Sequence, residues 1–361
     1  MRTIEADELT ALADGAGILG TGGGTHPYLE LLAARKLYAA GARARLIDAS
    51  ELADDDLVGV VSFMGAPLVS KERLPEPQSV CAAVSAMQDY IGRKFAAVMS
   101  IEIGGENAFL PILVGATMDL PVVDGDAMGR AFPEAQMTSF AIAGLDLFPF
   151  ALADIRANRM IITRSASAKW TERLGRVVVV ELGSIAGTCK APRTGAEIKN
   201  HAILGSVTRA IALGRAVGAA RAAHTDPVAA ILAHEQGALL FRGKVEDAAR
   251  RTTGGFVRGV AKIAGLDAFA GRTMTIDFQN EFSVARLDGA VVACVPDLIC
   301  VLDAENSEAI GTETLRYGQR VAVLALPAAP IMVSEAGLPL VGPRAFGFDF
   351  DYRPFAGRHA A

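Results

Sequence analysis

The sequence predicts a layered α/β domain with a largely parallel sheet, followed by a mostly antiparallel β-barrel or sandwich domain. Apolar strand segments alternate with helical segments through residues 1–165, the order that crossover connections of a parallel sheet produce. Short strands separated by glycines replace this order between about 238 and 340, which favours antiparallel pairing. Because 361 residues are many for a single core, we expect a second domain over residues 166–361.

The elements of the first domain follow from the spacing of apolar residues. Residues 1–14 predict a short amphipathic helix. Continuous apolar runs without alternation are typical of strands buried on both faces of a sheet. Such runs, and shorter ones, predict strands over 44–47, 57–64, 95–101 and 120–123, and helical spacing predicts helices over 28–40, 78–93 and 106–118.

The second half of the chain has a different pattern. Apolar residues near one stripe predict a long helix over 196–223 that bridges to the β domain. The runs that predict strands are 160–163, 177–181, 273–278, 291–295, 299–302 and 321–326.

Composition excludes several classes of function. The net charge of −5 and pI near 5.7 give no basic surface for nucleic acid. We find neither a membrane span nor a secretory signal and expect a cytoplasmic protein. The four cysteines form no CxxC pair, so free thiols are expected rather than disulfides or a cysteine zinc cluster.

A glycine-rich segment at 15–27, which ends at His26, is predicted to be a binding loop. Three hypotheses are open. The loop could cradle a nucleotide phosphate, although no strand precedes it and no lysine follows it. It could be a tight turn that packs a helix on a sheet. It could also form the wall of a site for a small polar substrate, with Gly22, Gly23 and Gly24 as binding residues.

Three polar clusters fall where predicted strands end, the position at which α/β proteins place their ligands. In the first, Glu106 and Asn107 lie in the first turn of a helix. Glu106 is a candidate acid and Asn107 a candidate substrate-binding residue, although an acid there also suits the helix dipole.

The second cluster spans 124–134. Asp124 and Asp126 could share a cation or divide acid and base roles. Arg130 could hold a substrate carboxylate or neutralise the aspartates, and Glu134 is a candidate for substrate binding.

The third cluster places Gln279, Asn280 and Glu281 next to one another on a predicted strand. Adjacent polar side chains in a β core are costly unless they face solvent, a partner or a site. They are therefore candidates for substrate binding, with a structural hydrogen-bond network as the alternative.

A metal site would have to be assembled from distant parts of the chain, because no HExxH or HxH pair is present. We predict that His26 and Asp126 hold a divalent metal, with zinc as the expected ion. Cys189 beside Lys190 is a candidate nucleophile, with an idle buried thiol as the alternative.

Taken in order along the chain, these segments resemble the DUF917 family, whose domains are named for S-methyl thiohydantoin desulfurase. The resemblance rests on segments spread over nearly the whole length: 20–24 with 26–27, 102–107, 124–134, 241–244, 252–256, 278–281, 296–299 and 341–344. It implies an N-terminal α/β domain and a C-terminal β domain. It also implies a hydrolase that replaces a sulfur substituent on a hydantoin-like ring with water.

For that reaction we assign water activation or metal binding to His26 and Asp126, assistance to Asp124, orientation of an anionic group to Arg130, and the acid role to Glu106. The expected partner is a small-molecule substrate, with a homo-oligomer or a hydantoinase-type protein as further partners. A non-catalytic subunit of a hydantoin-processing complex is the alternative, and a nucleotide-binding protein is the second.

Overall fold

The computed structural model describes residues 1–23, 26–65, 69, 77–253 and 256–357. It contains an eight-stranded mixed sheet with helices, a two-stranded pair, and a seven-stranded antiparallel sheet curled into a half-barrel. The predicted fold class, an α/β domain followed by an antiparallel β domain, is confirmed. One hydrophobic core fills the α/β layers, and a second lies inside the curled sheet around Phe241, Phe278 and Phe282.

The helices are labelled in chain order. They are α1 Glu8–Leu19, α2 Tyr28–Ala39, α3 Pro77–Ile91, α4 Leu110–Met118, α5 Ser139–Ile142, α6 Ala168–Glu181, α7 Gly195–His201, α8 Ser206–Ala222, α9 Pro227–Glu235 and α10 Leu338–Val341.

The strands are labelled in the same way. They are β1 Arg2–Thr3, β2 Arg45–Ile47, β3 Leu57–Gly65, β4 Ala97–Ser100, β5 Val122–Val123, β6 Gly125–Asp126, β7 Phe150–Ala153, β8 Arg159–Ile162, β9 Ile185–Thr194, β10 Ile203–Leu204, β11 Ala238–Thr253, β12 Phe256–Gly265, β13 Thr273–Gln279, β14 Glu281–Leu287, β15 Ala290–Cys294, β16 Leu298–Asp303 and β17 Arg320–Leu326.

The first sheet has the strand order β1-β2-β5-β4-β3-β9-β7-β8. Its centre, from β2 to β3, is parallel, so the carboxyl ends of β3 and β4 lie at the same edge. Strand β9 runs antiparallel to both β3 and β7 and lies between them. It comes from the second half of the chain, so the sheet takes strands from both sides of residue 165.

The second sheet has the order β15-β14-β13-β12-β11-β17-β16, and each pair is antiparallel. The turn between β13 and β14 centres on Asn280, whose φ is +57°. Asparagine tolerates this left-handed conformation better than most residues. The turn projects toward the first sheet, where Phe282 N donates to Thr21 O.

Two predictions of secondary structure are wrong. Residues 177–181 belong to α6 and not to a strand. Val178 and Val179 pack against an apolar cluster, whereas Val177 and Val180 are exposed, as on a helix with one apolar face. The predicted long helix over 196–223 is interrupted by β10, which pairs with β6. A capping box at Thr194 and the positive φ of Gly205 set the starts of α7 and α8.

The predicted loop at 15–27 is also corrected, because its first part, through Leu19, is the end of α1. A Cβ on Gly15 would lie 1.9 Å from Ala210 O, and one on Gly214 would lie 1.8 Å from Ala11 O. Glycines therefore allow α1 and α8 to pack with their backbones almost in contact. Since Gly15 and Gly17 are helical, the GxGxxG pattern does not form a phosphate loop in this structure.

Candidate active site

A cleft lies where the first sheet meets the turn between β13 and β14. Its walls come from the end of β3, the segment after β4, the loop after β6, helix α6, strand β9, and Asn280 with Glu281. Its volume is about 80 Å³. A single water needs roughly 10–15 Å³ on this measure, so the cleft has room for a small polar molecule.

Glu102, which follows β4, is buried at the base of the cleft. Its Oε1 accepts a hydrogen bond of 2.5 Å from Asn107 Nδ2, and its Oε2 accepts one of 3.0 Å from Phe132 N. Asn107 is in turn held by Phe63 N, which donates to its Oδ1 over 2.8 Å. Burial raises the pKa of Glu102 to about 7, against the lowering effect of these hydrogen bonds and of Lys190.

Glu281 is the second buried carboxyl group of the cleft. Burial and the nearby charge of Glu102 raise its pKa well above the usual value, although Arg130 opposes this shift. Its Oε2 is enclosed and has no hydrogen-bond partner among the residues that the structure describes. The raised pKa favours the protonated form of this carboxyl group, which is the form that can donate a proton.

Lys190 of β9 is the cation of the cleft, and its side chain is only 4% exposed. Its Nζ donates to Ser62 Oγ over 2.5 Å and to Thr188 Oγ1 over 2.9 Å. The ring of Phe150 lies below it, with Nζ 5.1 Å from the ring centre. Burial lowers the pKa of Lys190 to about 8, in spite of the charges of Glu172 and Glu102.

The outer wall is formed by α6, where Glu172 and Arg176 make an i,i+4 ion pair with Nε and Oε1 2.6 Å apart. Glu172 Oε2 also accepts from Ala135 N over 3.0 Å, and Arg176 Nη2 donates to Pro133 O over 2.8 Å. These bonds tie the loop after β6 to α6. The wall is therefore held in place from two elements.

Three ionisable side chains with displaced pKa values thus share one small cleft. Burial brings the pKa of Glu102 to about 7 and that of Lys190 to about 8, and it raises the pKa of Glu281 well above the usual value. Grouping of this kind is characteristic of acid–base catalysis, because proton transfer is most effective when the pKa of the group lies near the working pH.

Comparison with known proteins identifies the family. The model of the S-Me-THD-like N-terminal domain matches residues 7–164, and that of the S-Me-THD-like C-terminal domain matches residues 166–355. The chain belongs to the S-Me-THD-like family. The resemblance stated from the sequence is therefore confirmed.

The S-Me-THD-like chain also resembles a solved structure. A crystal structure of a protein from Chromobacterium violaceum has a TM-score of 0.81 to it at 24% identity, with 99% of each chain covered. At this identity the likeness shows the fold alone. No curated protein matches the chain.

Five of the residues predicted from the sequence line the cleft of this S-Me-THD-like protein. They are Gly23, Glu106, Asn107, Asn280 and Glu281. Glu106 lies half-buried in the turn after β4. Gly24, which was predicted with Gly22 and Gly23, lies outside the described residues.

The two predicted aspartates have other contacts. Asp124 Oδ1 accepts from Val207 N and Thr208 N over 3.0 and 3.1 Å, and so caps the first turn of α8. Asp126 is buried, and its Oδ2 accepts from the backbone N–H groups of Ile103, Met128 and Gly129. Burial raises the pKa of Asp126 to about 6. Neither residue lines the cleft.

Arg130 is buried in contacts with the backbone. Its Nη1 donates to Asp297 O over 2.9 Å, its Nη2 to Thr21 Oγ1 over 2.6 Å, and its Nε to Ala131 O over 2.8 Å. The guanidinium therefore joins the N-terminal segment to the second sheet. These contacts favour the structural function of Arg130 over the substrate clamp that the sequence suggested.

The remaining predicted residues also lie outside the cleft lining. His26 Nε2 is 3.4 Å from Asp14 Oδ1, Glu134 accepts from Gln136, and Gly22 O accepts from Thr312 N. Gln279 lies in a separate groove on the second sheet.

The metal site at His26 and Asp126 stays a prediction. Over the described ranges, no group of three or more histidine, cysteine, aspartate or glutamate side chains is placed to hold a metal ion. None of the helices in those ranges has the length and apolar character of a membrane span.

Sequence reasoning did not single out Glu102, Ser62 and Lys190 as candidates, although all three line the cleft. Glu102 stood in a recognised cluster, but the helix dipole directed attention to Glu106. Lys190 was considered only as the activator of Cys189. Cys189 is fully buried in the hydrophobic core, and this burial raises the pKa of its thiol to about 12. The available signal was a polar Ser62 inside an otherwise apolar strand.

Proposed function

We propose that the protein is a hydrolase that replaces a sulfur substituent on a hydantoin-like ring with an oxygen from water. The observation that carries the proposal is the cluster of Glu102, Lys190 and Glu281 around one small cleft. Membership of the S-Me-THD-like family supports the choice of substrate class. The small volume of the cleft also suits a five-membered ring better than a nucleotide.

The net reaction requires movement of two protons. The carbon–sulfur bond breaks, and the oxygen of water becomes the carbonyl oxygen of the ring. One hydrogen of water ends on the departing thiol and the other on a ring nitrogen. Because its pKa is near 7, Glu102 can accept a proton in one step and return it in the next. Glu281, whose pKa is raised well above its usual value, is the proton donor to the ring or to the leaving sulfur.

A direct assay with the purified full-length chain tests the proposal. A panel of S-methyl thiohydantoins is incubated with the protein, released methanethiol is measured with a thiol reagent, and the hydantoin product by chromatography. We expect turnover by the wild type and a loss of at least about 100-fold in Glu102→Gln, since a general acid or base contributes roughly 10²–10⁴-fold. Glu308→Gln, a change at an exposed position, is the matched control and keeps full activity.

Failure of the wild type to release thiol from any member of the panel would contradict the proposal. Co-purification with a second protein that alone restores turnover would instead favour a non-catalytic subunit of a hydantoin-processing complex.

A further inference from the structure

Ser62 and Lys190 lie side by side on the floor of the cleft. Strands β3 and β9 pair so that Ser62 stands directly opposite Thr188. Lys190 is two residues beyond Thr188, so its side chain leaves the same face of the sheet. The three side chains are all at least 96% buried, and both Ser62 and Lys190 border the cleft.

The contacts of Lys190 are unusual for a buried ammonium group, which normally pairs with a carboxylate. The partners described for Nζ are two hydroxyl groups, Ser62 Oγ at 2.5 Å and Thr188 Oγ1 at 2.9 Å, with the Phe150 ring beneath. The described residues give it no ion pair. The charged form of Lys190 is therefore weakly compensated, and its neutral amine can accept a proton from a neighbouring hydroxyl.

Thr188 holds Ser62 in position. Its Oγ1 donates to the carbonyl oxygen of Ser62 over 2.9 Å and lies 2.9 Å from Ser62 Oγ. Because the threonine proton is used in the first bond, the proton of Ser62 Oγ is left to Thr188 Oγ1 or, once Lys190 is neutral, to Nζ. This arrangement fixes the serine rotamer and aligns its proton with the base.

We propose that Ser62 is the nucleophile of the reaction and that Lys190 is its general base. The inference rests on the function proposed above and replaces direct attack by water with two steps. It adds a serine–lysine pair, an arrangement that unrelated hydrolases use for nucleophilic catalysis.

In the first step, Ser62 Oγ bonds to the ring carbon that carries sulfur, and its proton passes to Lys190 Nζ. The carbon–sulfur bond then breaks, and the departing thiolate takes a proton from Lys190. In the second step, a water oxygen bonds to the same carbon and gives one proton to Glu102. The bond from carbon to Ser62 Oγ breaks, and Oγ recovers its proton from Glu102. The second proton of the water moves from the new hydroxyl oxygen to the ring nitrogen as the carbonyl group forms, and no atom is oxidised or reduced.

Four neighbouring charged or titratable groups change the pKa of Lys190. Glu172, Glu102 and Cys189 raise the pKa of Lys190 and Arg176 lowers it, while burial dominates. Because the resulting pKa is about 8, about a tenth of Lys190 is neutral at pH 7, which is enough to start each cycle.

Covalent labelling tests the inference without relying on turnover. The full-length protein is treated with phenylmethanesulfonyl fluoride, and modified peptides are mapped by mass spectrometry. We expect one sulfonyl group on Ser62 and about 100-fold slower labelling in Lys190→Met. Ser100 is an internal control that matches Ser62 in burial. It should stay unlabelled, because its Oγ donates to the carbonyl oxygens of Glu102 and Asn107 instead of to a base.

The substrate provides the second measurement. Wild-type protein is mixed with S-methyl thiohydantoin and quenched in acid, and the Ser62 peptide should gain the mass of the ring without its methylthio group. Absence of a label at Ser62 together with full turnover by Ser62→Ala would overturn the inference and leave the proposed function intact. Sulfonyl labelling of Ser62 without turnover of any thiohydantoin would support the nucleophile and reject the proposed substrate.

Discussion

The backbone of Gly23 rests against the carboxyl group of Glu281. A Cβ at position 23 would lie 2.1 Å from Glu281 Oε1 and 2.7 Å from its Cδ. A side chain at position 23 would therefore displace the carboxyl group of Glu281, which borders the cleft.

We expect Gly23→Ala to lower kcat/KM by about 100-fold, because a displacement of about 1 Å at a reacting group costs roughly that factor. Steady-state kinetics on the folded variant provides the measurement. Gly218→Ala is the control, since a Cβ there meets nothing within 4 Å. It should keep full activity and gain about 0.5–1 kcal/mol of helix stability. Equal kinetics in the two variants would contradict the prediction.

Glu102 should give the protein a characteristic dependence of stability on pH. The folded chain holds this proton up to about pH 7, whereas the unfolded chain loses it near the usual value of 4.5. The stabilising contribution is therefore complete below pH 4.5 and is lost as the pH rises through 7. The rise in the pKa of Glu102 from 4.5 to about 7 corresponds to about 3 kcal/mol of free energy of unfolding.

Urea unfolding at pH 4.5 and pH 8 can measure this contribution. Glu102→Gln should have a lower free energy of unfolding than the wild type at both pH values, because the single oxygen of glutamine cannot replace both oxygens that accept hydrogen bonds from Asn107 and Phe132. It should also lose less free energy of unfolding than the wild type between the two pH values. Parallel curves for the two proteins would refute the shifted pKa.

Arg130 is expected to stabilise the fold rather than bind substrate. Arg130→Lys keeps the charge but loses the fork that reaches Asp297, Thr21 and Ala131. We expect the free energy of unfolding to fall by about 3–5 kcal/mol, as is typical when a buried charged group loses its partners. The folded fraction should keep its KM. A rise in KM without a change in melting temperature would restore the substrate clamp that the sequence suggested.

The metal prediction at His26 and Asp126 can be tested by elemental analysis. Because Asp126 Oδ2 already accepts three backbone N–H groups, we expect Asp126→Asn to lower the melting temperature and leave the metal content unchanged. Asp124→Ala is the comparison variant, because it removes a helix cap. Its free energy of unfolding should fall by about 1 kcal/mol, the usual contribution of such a cap. Loss of one metal equivalent in both Asp126→Asn and His26→Ala would instead support the metal site.

The sequence predicted the elements whose apolar pattern matches their burial. Strand β3 and helices α2 and α3 were located within about two residues, because each buries one continuous run or one stripe. The strand prediction at 177–181 was wrong because a run of β-branched valines on α6 has the composition of a strand. The loop prediction at 15–27 was wrong in its first part because glycine is used both in flexible loops and where two helices, here α1 and α8, pack closely.

The residues of the cleft were harder to predict because the cleft depends on contacts between distant segments. Asn280 and Glu281 stood out as polar residues in a β core. Ser62 and Lys190 are separated by 128 positions and meet only through the pairing of β3 with β9. No local spacing indicates such a meeting. The displaced pKa of Glu102 likewise results from burial in the folded chain.

The position of β9 limits how the two regions of this protein can be separated by recombination during evolution. Ser62 lies in the region matched by the N-terminal family model and Lys190 in that matched by the C-terminal one, yet both belong to a single sheet. A recombination event at the junction would remove the strand between β3 and β7 and would separate the two side chains. We therefore expect the regions matched by the two family models to remain together in one gene when domains are fused or exchanged during evolution.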